Sequence, residues 1–450
     1  MAALPAADGD ISRTHRQTDR QTDRQTDRQT DRQTDRQTSK QQTNTLETSM
    51  FMVTKSLRAA AWLAAFTCTF SASAVWAQTA VKVGVLAPLS GGSASDGAWL
   101  MKGHELAIEE INARGGIKSM NGAKLQLVVG DTQSKPETAR SEAERLIERE
   151  KVSALTGAWA SAVSAVVSQV AERAEVPFVI TSAVADNLTE KNMKYVFRVS
   201  PKSKWAVEDV GRFLEVMAAR GVTATKAAIV YEDGPYGQSV AANYKLMLAA
   251  KKIAVVADES FRSGVSDLST QVSKMRAAGA DVVFMAAYVN DSIVLFRAMA
   301  AQNFKPLVIG YGQGHVQPSL LQSGKAVEGS FAVVEWMPDV KKDAARQFVT
   351  AFEAKYKAQP LTTSAQAYAA TWAIAEALER SKSASPQAVR NGLAAIRTKT
   401  GPVTLLPSEE FAFDAAGQHA VANVVAQVVD GRFVTVWPPA VAAGAIAPAK

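Results

Sequence analysis

Residues 81–117 read VKVGVLAPLSGGSASDGAWLMKGHELAIEEINARGGI, and the fold follows from the change of period inside this stretch. Val81–Ala87 is a short, nearly unbroken apolar run, which predicts a strand buried on both faces. Pro88-Leu89-Ser90-Gly91-Gly92-Ser93 interrupts it. Leu100, His104, Ala107, Ile108 and Ile111 then recur at helical spacing, and Gly115-Gly116 stops the helix. A buried strand passing through a small polar loop into an amphipathic helix is the repeating unit of a parallel sheet covered by helices.

The unit recurs downstream. Residues 124–130 alternate as a second strand. Ser134 and Glu137 have capping-box spacing around Pro136, and that helix runs through Leu146 and Ile147. Strands at 152–157 and 176–180 flank a helix from about Ser161. The pattern restarts past residue 200, with strands at 227–231, 255–261, 281–287 and 307–310. Helices begin near Gly237 and span 268–278 and 291–301. Asp291 reads as a helix cap. Helices at 344–356, 363–380 and 386–395 follow, then a hairpin over 418–436 turning at Asp430-Gly431. Two such series predict an α/β protein of two Rossmann-like lobes with parallel sheets.

The N-terminal residues are of a different kind. Residues 16–35 are five copies of Arg-Gln-Thr-Asp, which offer no apolar face. Residues 1–49 are expected to be low-complexity and disordered, or upstream sequence before a true start at Met50 or Met52. Residues 50–77 read as a signal peptide: Lys55 and Arg58, the apolar run 59–70, then Val75-Trp76-Ala77 before a cleavage site. The run is too short for a secure membrane span. The residues before Cys68 make a poor lipoprotein signal, so free export to the periplasm is expected. The net charge of +7 weakens once 1–77 is set aside, because that segment holds ten Lys and Arg against eight Asp and Glu. The remaining basic residues are scattered without aromatic interleaving, which argues against nucleic acid. One Cys excludes a disulfide framework, and four scattered His argue against a metal site.

Ligands of wound sheets lie beyond the carboxyl ends of the strands, so a cleft between facing lobes is the expected site. The candidate residues come from those loops. Ser90, beside Gly91-Gly92, sits in a turn whose amides suit an anion or carbonyl as well as a plain strand-to-helix turn. Asp96 lies at the mouth of that loop. Trp159 is a cleft wall or a core residue, and Ser161 is a cap, a ligand contact or both. Ser182 and Ala183 follow a strand. Tyr236 lies in the turn Glu232-Asp233-Gly234-Pro235, Tyr288 ends an apolar strand, and Gln313 and His315 fill the loop after 307–310. The glycines of that loop are spaced as GxGxG with no strong helix behind, a weak dinucleotide motif. No nucleophile elbow, phosphate loop, HExxH or Cys nucleophile occurs, so no catalytic residue is assigned and no cofactor is expected.

Val81–Leu86 with the Ser90-Gly91 loop, KGHELAIEEINARGGI at 102–117, YGQ at 236–238 and GADVVFMA at 279–286 together resemble the branched-chain amino-acid-type periplasmic binding proteins, type I solute receptors of ABC importers. The similarity spans about residues 81–437. It implies two lobes joined by a three-segment hinge, with crossings near Ser200, at 332–338 and at 405–411. One lobe would then comprise 78–200 and 333–408, the other 201–332 and 409–440. The resemblance implies a monomer that captures a small organic solute (amino acid, organic acid or amide) and delivers it to a permease, its only link to the membrane. A ligand-sensing subunit and a secreted α/β enzyme are the alternatives.

The resemblance also implies that Ser161 holds a ligand carboxylate and that Tyr236 and Tyr288 are second-lobe contacts. The family's amino-acid binders carry an acid after the strand at 307–310. Here Tyr311–His315 has none, and an ammonium without a counter-charge is costly to bury. The acidless loop favours an organic acid or an amide over a simple amino acid, unless Asp96, Glu232 or Glu335 swings into the cleft to meet an ammonium.

Overall fold

The computed structural model describes residues 80–448. The repeat, the signal segment 50–77, Cys68 and the cleavage site after Ala77 lie outside the described residues. The strands of a first sheet are β1 Val81–Ala87, β2 Leu125–Asp131, β3 Ala154–Gly157, β4 Phe178–Ile180 and β5 Val196–Arg198, all parallel in the order β2-β1-β3-β4-β5. Helices α1 Ala94–Ala113, α2 Pro136–Glu148 and α3 Ser161–Ala174 connect them. A second sheet holds β6 Lys226–Glu232, β7 Ala254–Phe261, β8 Val282–Ala286, β9 Leu307–Tyr311 and β10 Phe331–Val334, parallel to their neighbours.

The second sheet is not wholly parallel. After the two-residue strands β11 Arg397–Thr398 and β12 Phe411–Ala412, the hairpin β13 Val424–Val429 and β14 Arg432–Trp437 adds antiparallel at its edge, giving β14-β13-β10-β9-β8-β6-β7. The hairpin turns at Asp430 (φ 49°) and Gly431 (φ 69°), the left-handed pair that a two-residue turn requires.

Alternation along each strand feeds two cores per sheet. On one face of the first sheet, Val83, Ala154 and Val179 meet α1 and the later helices α9 Asp343–Tyr356, α10 Thr362–Ser381 and α11 Pro386–Ala394. On the other, Leu155, Phe178 and Ile180 meet α2 and α3. The second sheet packs Ile229, Phe284 and Ile309 on α4 Ser203–Ala219 and α5 Pro235–Ala250. Its opposite face packs Val230, Val283 and Met285 on α6 Ser269–Ala277 and α7 Val289–Ala301. A short α8, Pro318–Leu321, closes the segment after β9. Each fully buried Phe or Leu contributes roughly 1.5–3 kcal/mol by leaving water.

Three local expectations fail, each to a longer-range partner. Ser134 caps no helix: it is left-handed (φ 59°), its hydroxyl donates to the Ser90 carbonyl, and it accepts from the Ser93 amide. Asp291 lies in the first turn of α7 but accepts from the Gly264 amide at 2.8 Å and the Ser263 hydroxyl at 2.7 Å, tying down the loop after β7. The segment 405–411 is not a crossing. Leu405 and Phe411 belong to the core against the first sheet, where Phe411 packs on Phe413 and His419. The chain passes to the second sheet later, between Gln418, which bridges to Arg198, and Val424.

Candidate functional site: the cleft between the two sheets

The loops at the carboxyl ends of β3, β4, β6, β8, β9 and β10 converge on one cavity, with about 40 Å³ open to water centres. A single water needs ~10–15 Å³ on that measure, so the space is narrow.

The first-sheet wall begins with the turn after β3. Gly157 (φ 102°) and Ala158 (φ 54°) are both left-handed, and a Cβ on Gly157 would lie 2.2 Å from the Leu86 carbonyl oxygen. Only glycine fits there, and the reversal delivers Trp159, Ala160 and Ser161 to the cavity. Ser161 is buried at the first position of α3, with Ala160 as the capping residue. Its hydroxyl does not cap α3. It accepts the Ala185 amide at 3.3 Å and so ties the start of α3 to the loop after β4. That loop brings Ser182, Ala183 and Val184 to the same wall. The free first-turn amides of α3 make this wall suited to a negative or carbonyl group.

Arg198, fully buried at the end of β5, holds the wall from behind. It donates to the carbonyls of Ala183 and Ala185, at 3.3 and 2.7 Å, to Thr189 Oγ1 and to Gln418 Oε1. Burial lowers its pKa to about 10, which leaves it a cation at neutral pH.

The second-sheet wall is aromatic. Trp159 and Tyr288 have ring centroids 5.1 Å apart, and Tyr288 and Tyr236 5.4 Å. The Tyr236 hydroxyl donates to the Tyr311 carbonyl, and burial holds both phenols well above their ordinary pKa. Gly312 (φ 95°) lets the backbone pass over Tyr236, whose hydroxyl would lie 2.7 Å from a Cβ there. Gln313 joins the walls: Oε1 accepts from Trp159 Nε1 at 3.0 Å and from the Thr363 hydroxyl, and Nε2 donates to Gln366 Oε1 at 2.7 Å.

Of the ten residues singled out in the sequence, Trp159, Ser161, Ser182, Ala183, Tyr236, Tyr288 and Gln313 line the cavity. Ser90, Asp96 and His315 do not. Ser90 is exposed, and its amide and hydroxyl both donate to the Asp131 carboxylate, at 3.2 and 2.7 Å. His315 lies folded under Gly310, where a Cβ would meet its ring at 2.3 Å, and it touches Ser292 Oγ at 3.5 Å. Burial depresses its pKa to about 3, so it stays neutral. Asp96 is buried at the cleft's edge, where it accepts from the Gln317 side chain of the opposite lobe. Burial pushes its carboxyl up to about 7, against a smaller downward pull from Gln317.

From the sequence Glu335 is only an acid able to swing in. It directly follows β10, lines the cavity and is buried. Its Oε1 lies 3.5 Å from the Tyr311 hydroxyl, and its Oε2 has no hydrogen-bond partner. Burial raises its pKa to about 7. The loop after β9 is indeed acidless, but the cavity is not, because the acid comes from β10. The signal was present: a glutamate inside the otherwise apolar run 331–337. Glu232, the remaining candidate acid, accepts the Gly234 and Gly237 amides, each at 2.7 Å, and so holds the start of its own helix α5. No cluster of three or more His, Cys, Asp or Glu placed to hold a metal ion occurs among the described residues.

Two wound sheets whose strand ends enclose a small, largely aromatic cavity define a two-lobed small-molecule receptor. A model of the family described as periplasmic binding protein matches residues 80–432, and the chain belongs to that family. Leu/Ile/Val-binding protein homolog 7 of Brucella abortus (strain 2308) is 32% identical over 388 residues, covering 82% of this chain and 94% of the relative. In fold the chain is similar to a leucine binding protein from Thermotoga maritima MSB8, with a TM-score of 0.72 and 24% identity over 79% of this chain and 98% of that one. It is also similar to a solute binding protein of an ABC transporter from R. palustris in complex with benzoate. There the TM-score is 0.70 and the identity 23%, over 81% of this chain and 98% of that one.

Proposed function

We propose that this chain is the solute-binding subunit of an ABC importer, exported by a signal peptide cleaved after Ala77, and that it hands a small organic solute to a membrane permease. The observation that carries the reading is the cavity itself, enclosed by six strand-end loops from two sheets. The first-sheet wall, with Ser161, Ser182 and the α3 amides, receives the solute's anionic or carbonyl end. Trp159, Tyr236 and Tyr288 cover its apolar body. Relatives whose names refer to Leu, Ile and Val, and a neighbour holding benzoate, support a compact solute with one acidic end. Closure of the lobes on the solute then presents one conformation to the permease.

A thermal-shift panel of amino acids, carboxylic acids and amides against the full chain tests the reading. At least one compound is expected to raise Tm in a concentration-dependent way, and Trp159→Ala to abolish the shift. A flat panel for the wild-type protein, with no small molecule released on its denaturation, counts against solute binding. The exported protein is expected to begin at Gln78, and N-terminal sequencing that finds the Arg-Gln-Thr-Asp repeat on it counts against processing.

A further inference from the structure

We propose that the turn 312–317, which follows β9 of the second sheet, is a clasp that draws the cleft shut through bonds among protein groups alone, so that the chain populates a closed form without solute. The proposal goes beyond the solute-binding reading, and its test needs no solute.

The turn reaches across the cleft at two points. At the first, Gln313 Oε1 accepts from Trp159 Nε1 at 3.0 Å and from the Thr363 hydroxyl, and Nε2 donates to Gln366 Oε1 at 2.7 Å. At the second, the Gln317 side chain donates to Asp96 in the first turn of α1. All six side chains are buried. Between the two points Val316 is buried in the core cluster that contains α1 and α10. Of the six, only Trp159 and Gln313 line the cavity. Asp96, Gln317, Thr363 and Gln366 lie outside the space a solute would fill, so their bonds do not depend on it.

Both sides of the clasp are firmly backed. On the second-sheet side the Gly312 amide donates to the Val333 carbonyl at 2.9 Å, and the His315 ring fills the space under Gly310. A Cβ on Gly314 would lie 2.3 Å from the Ala287 carbonyl oxygen, so the turn sits directly on the end of β8. On the first-sheet side the Ser364 hydroxyl donates to the Trp99 carbonyl at 2.7 Å. A Cβ on Gly103 would lie 2.1 Å from the Ser364 carbonyl oxygen, which seats the start of α10 on α1. With each side held by its own neighbours, parting the sheets must break the four bonds together. Each buried bond weights the closed form by about 2- to 10-fold. A solute that favours the closed form then binds more tightly the larger the fraction already closed.

The test measures the distance between the two halves directly. Lys135, after β2, and Asp233, after β6, are exposed on the two rims. Spin labels are placed by Lys135→Cys and Asp233→Cys in the full chain, with Cys68→Ser removing the one native thiol. The protein is unfolded in guanidinium and refolded to strip bound small molecules, and the distance distribution is read by pulsed electron resonance. A short-distance population is expected beside a longer one. Gln317→Leu with Thr363→Val cuts one bond at each point without touching a cavity residue, and the first change leaves the Asp96 carboxyl without its partner. The ratio of short to long distances should fall by about 5- to 100-fold in this double variant. Should it fail to fold, Thr363→Val alone is expected to lower the ratio by about 2- to 10-fold. A wild type with only the long distance overturns the clasp. So does a variant that loses Tm but keeps the wild-type distribution, which is what a merely structural role for these side chains would give. Neither result bears on whether solute binds, which the panel of compounds decides separately.

Discussion

Ser161 has two possible duties that can be separated. Its hydroxyl oxygen accepts the Ala185 amide, which leaves the hydroxyl proton for a solute acceptor. Ser161→Ala is expected to weaken the best-binding solute by about 5- to 150-fold, as a buried partner left unpaired costs roughly 1–3 kcal/mol. Calorimetric titration measures this, and urea denaturation measures the structural part. Unchanged affinity with stability lower by about 1 kcal/mol would restrict Ser161 to holding the loop. Residues of this kind were legible because each directly follows an apolar strand: Trp159, Ser182, Tyr288 and Gln313 all do, and all reach the cavity. Ser90 and His315 follow strands as well, but Asp131 takes up the first and Gly310 makes room for the second beneath the sheet end. Those partners are distant in sequence or depend on packing, so no local pattern signals them.

At the scale of elements, the turn after β3 is the most constrained part of the site. Gly157→Ala would place a methyl group 2.2 Å from a carbonyl oxygen in a left-handed conformation. A loss of at least ~2 kcal/mol is expected, with displacement of Trp159 visible as altered tryptophan fluorescence. A midpoint unchanged from wild type in urea would show that the turn relaxes without cost. Strand and helix identities followed from periodicity, because burial on one or both faces imposes it along the whole element. Caps did not follow. Ser134, Ser161 and Asp291 all sit near helix starts in residue types that favour capping, and each bonds instead to another loop. The edge hairpin was also legible, but its antiparallel attachment to β10 was not, since pairing partners are set by tertiary contacts.

Over the whole molecule, the cleft buries charge. Asp96 and Glu335 both have carboxyls raised to about 7 by burial, above the 3.8 and 4.5 of free Asp and Glu. A carboxyl raised in the folded state holds its proton while the unfolded chain has already lost it. Stability therefore falls as pH rises from about 4 to about 7 and stays low above that. Asp96→Asn keeps an oxygen for Gln317 and removes the charge. It is expected to stabilise the solute-free protein by roughly 1–4 kcal/mol at pH 8 and by little at pH 4, as measured by urea denaturation at both values. Equal effects at both pH values would mean that Asp96 is solvated. If the lobes close on solute, scattering should also show compaction when it is added. An unchanged radius of gyration at saturation would contradict closure.

The central claim is that a small solute occupies the cavity between the two sheets, and release of bound solute tests it most directly. The full chain and the cavity-filling variant Ala183→Trp are purified side by side, denatured, and the liberated small molecules quantified by mass spectrometry. The account predicts about one solute per wild-type chain and a large depletion in the variant, whose added indole would occupy the space lined by Ser161, Tyr236 and Glu335. The same solute released in equal amount from both proteins would place binding elsewhere and contradict the account.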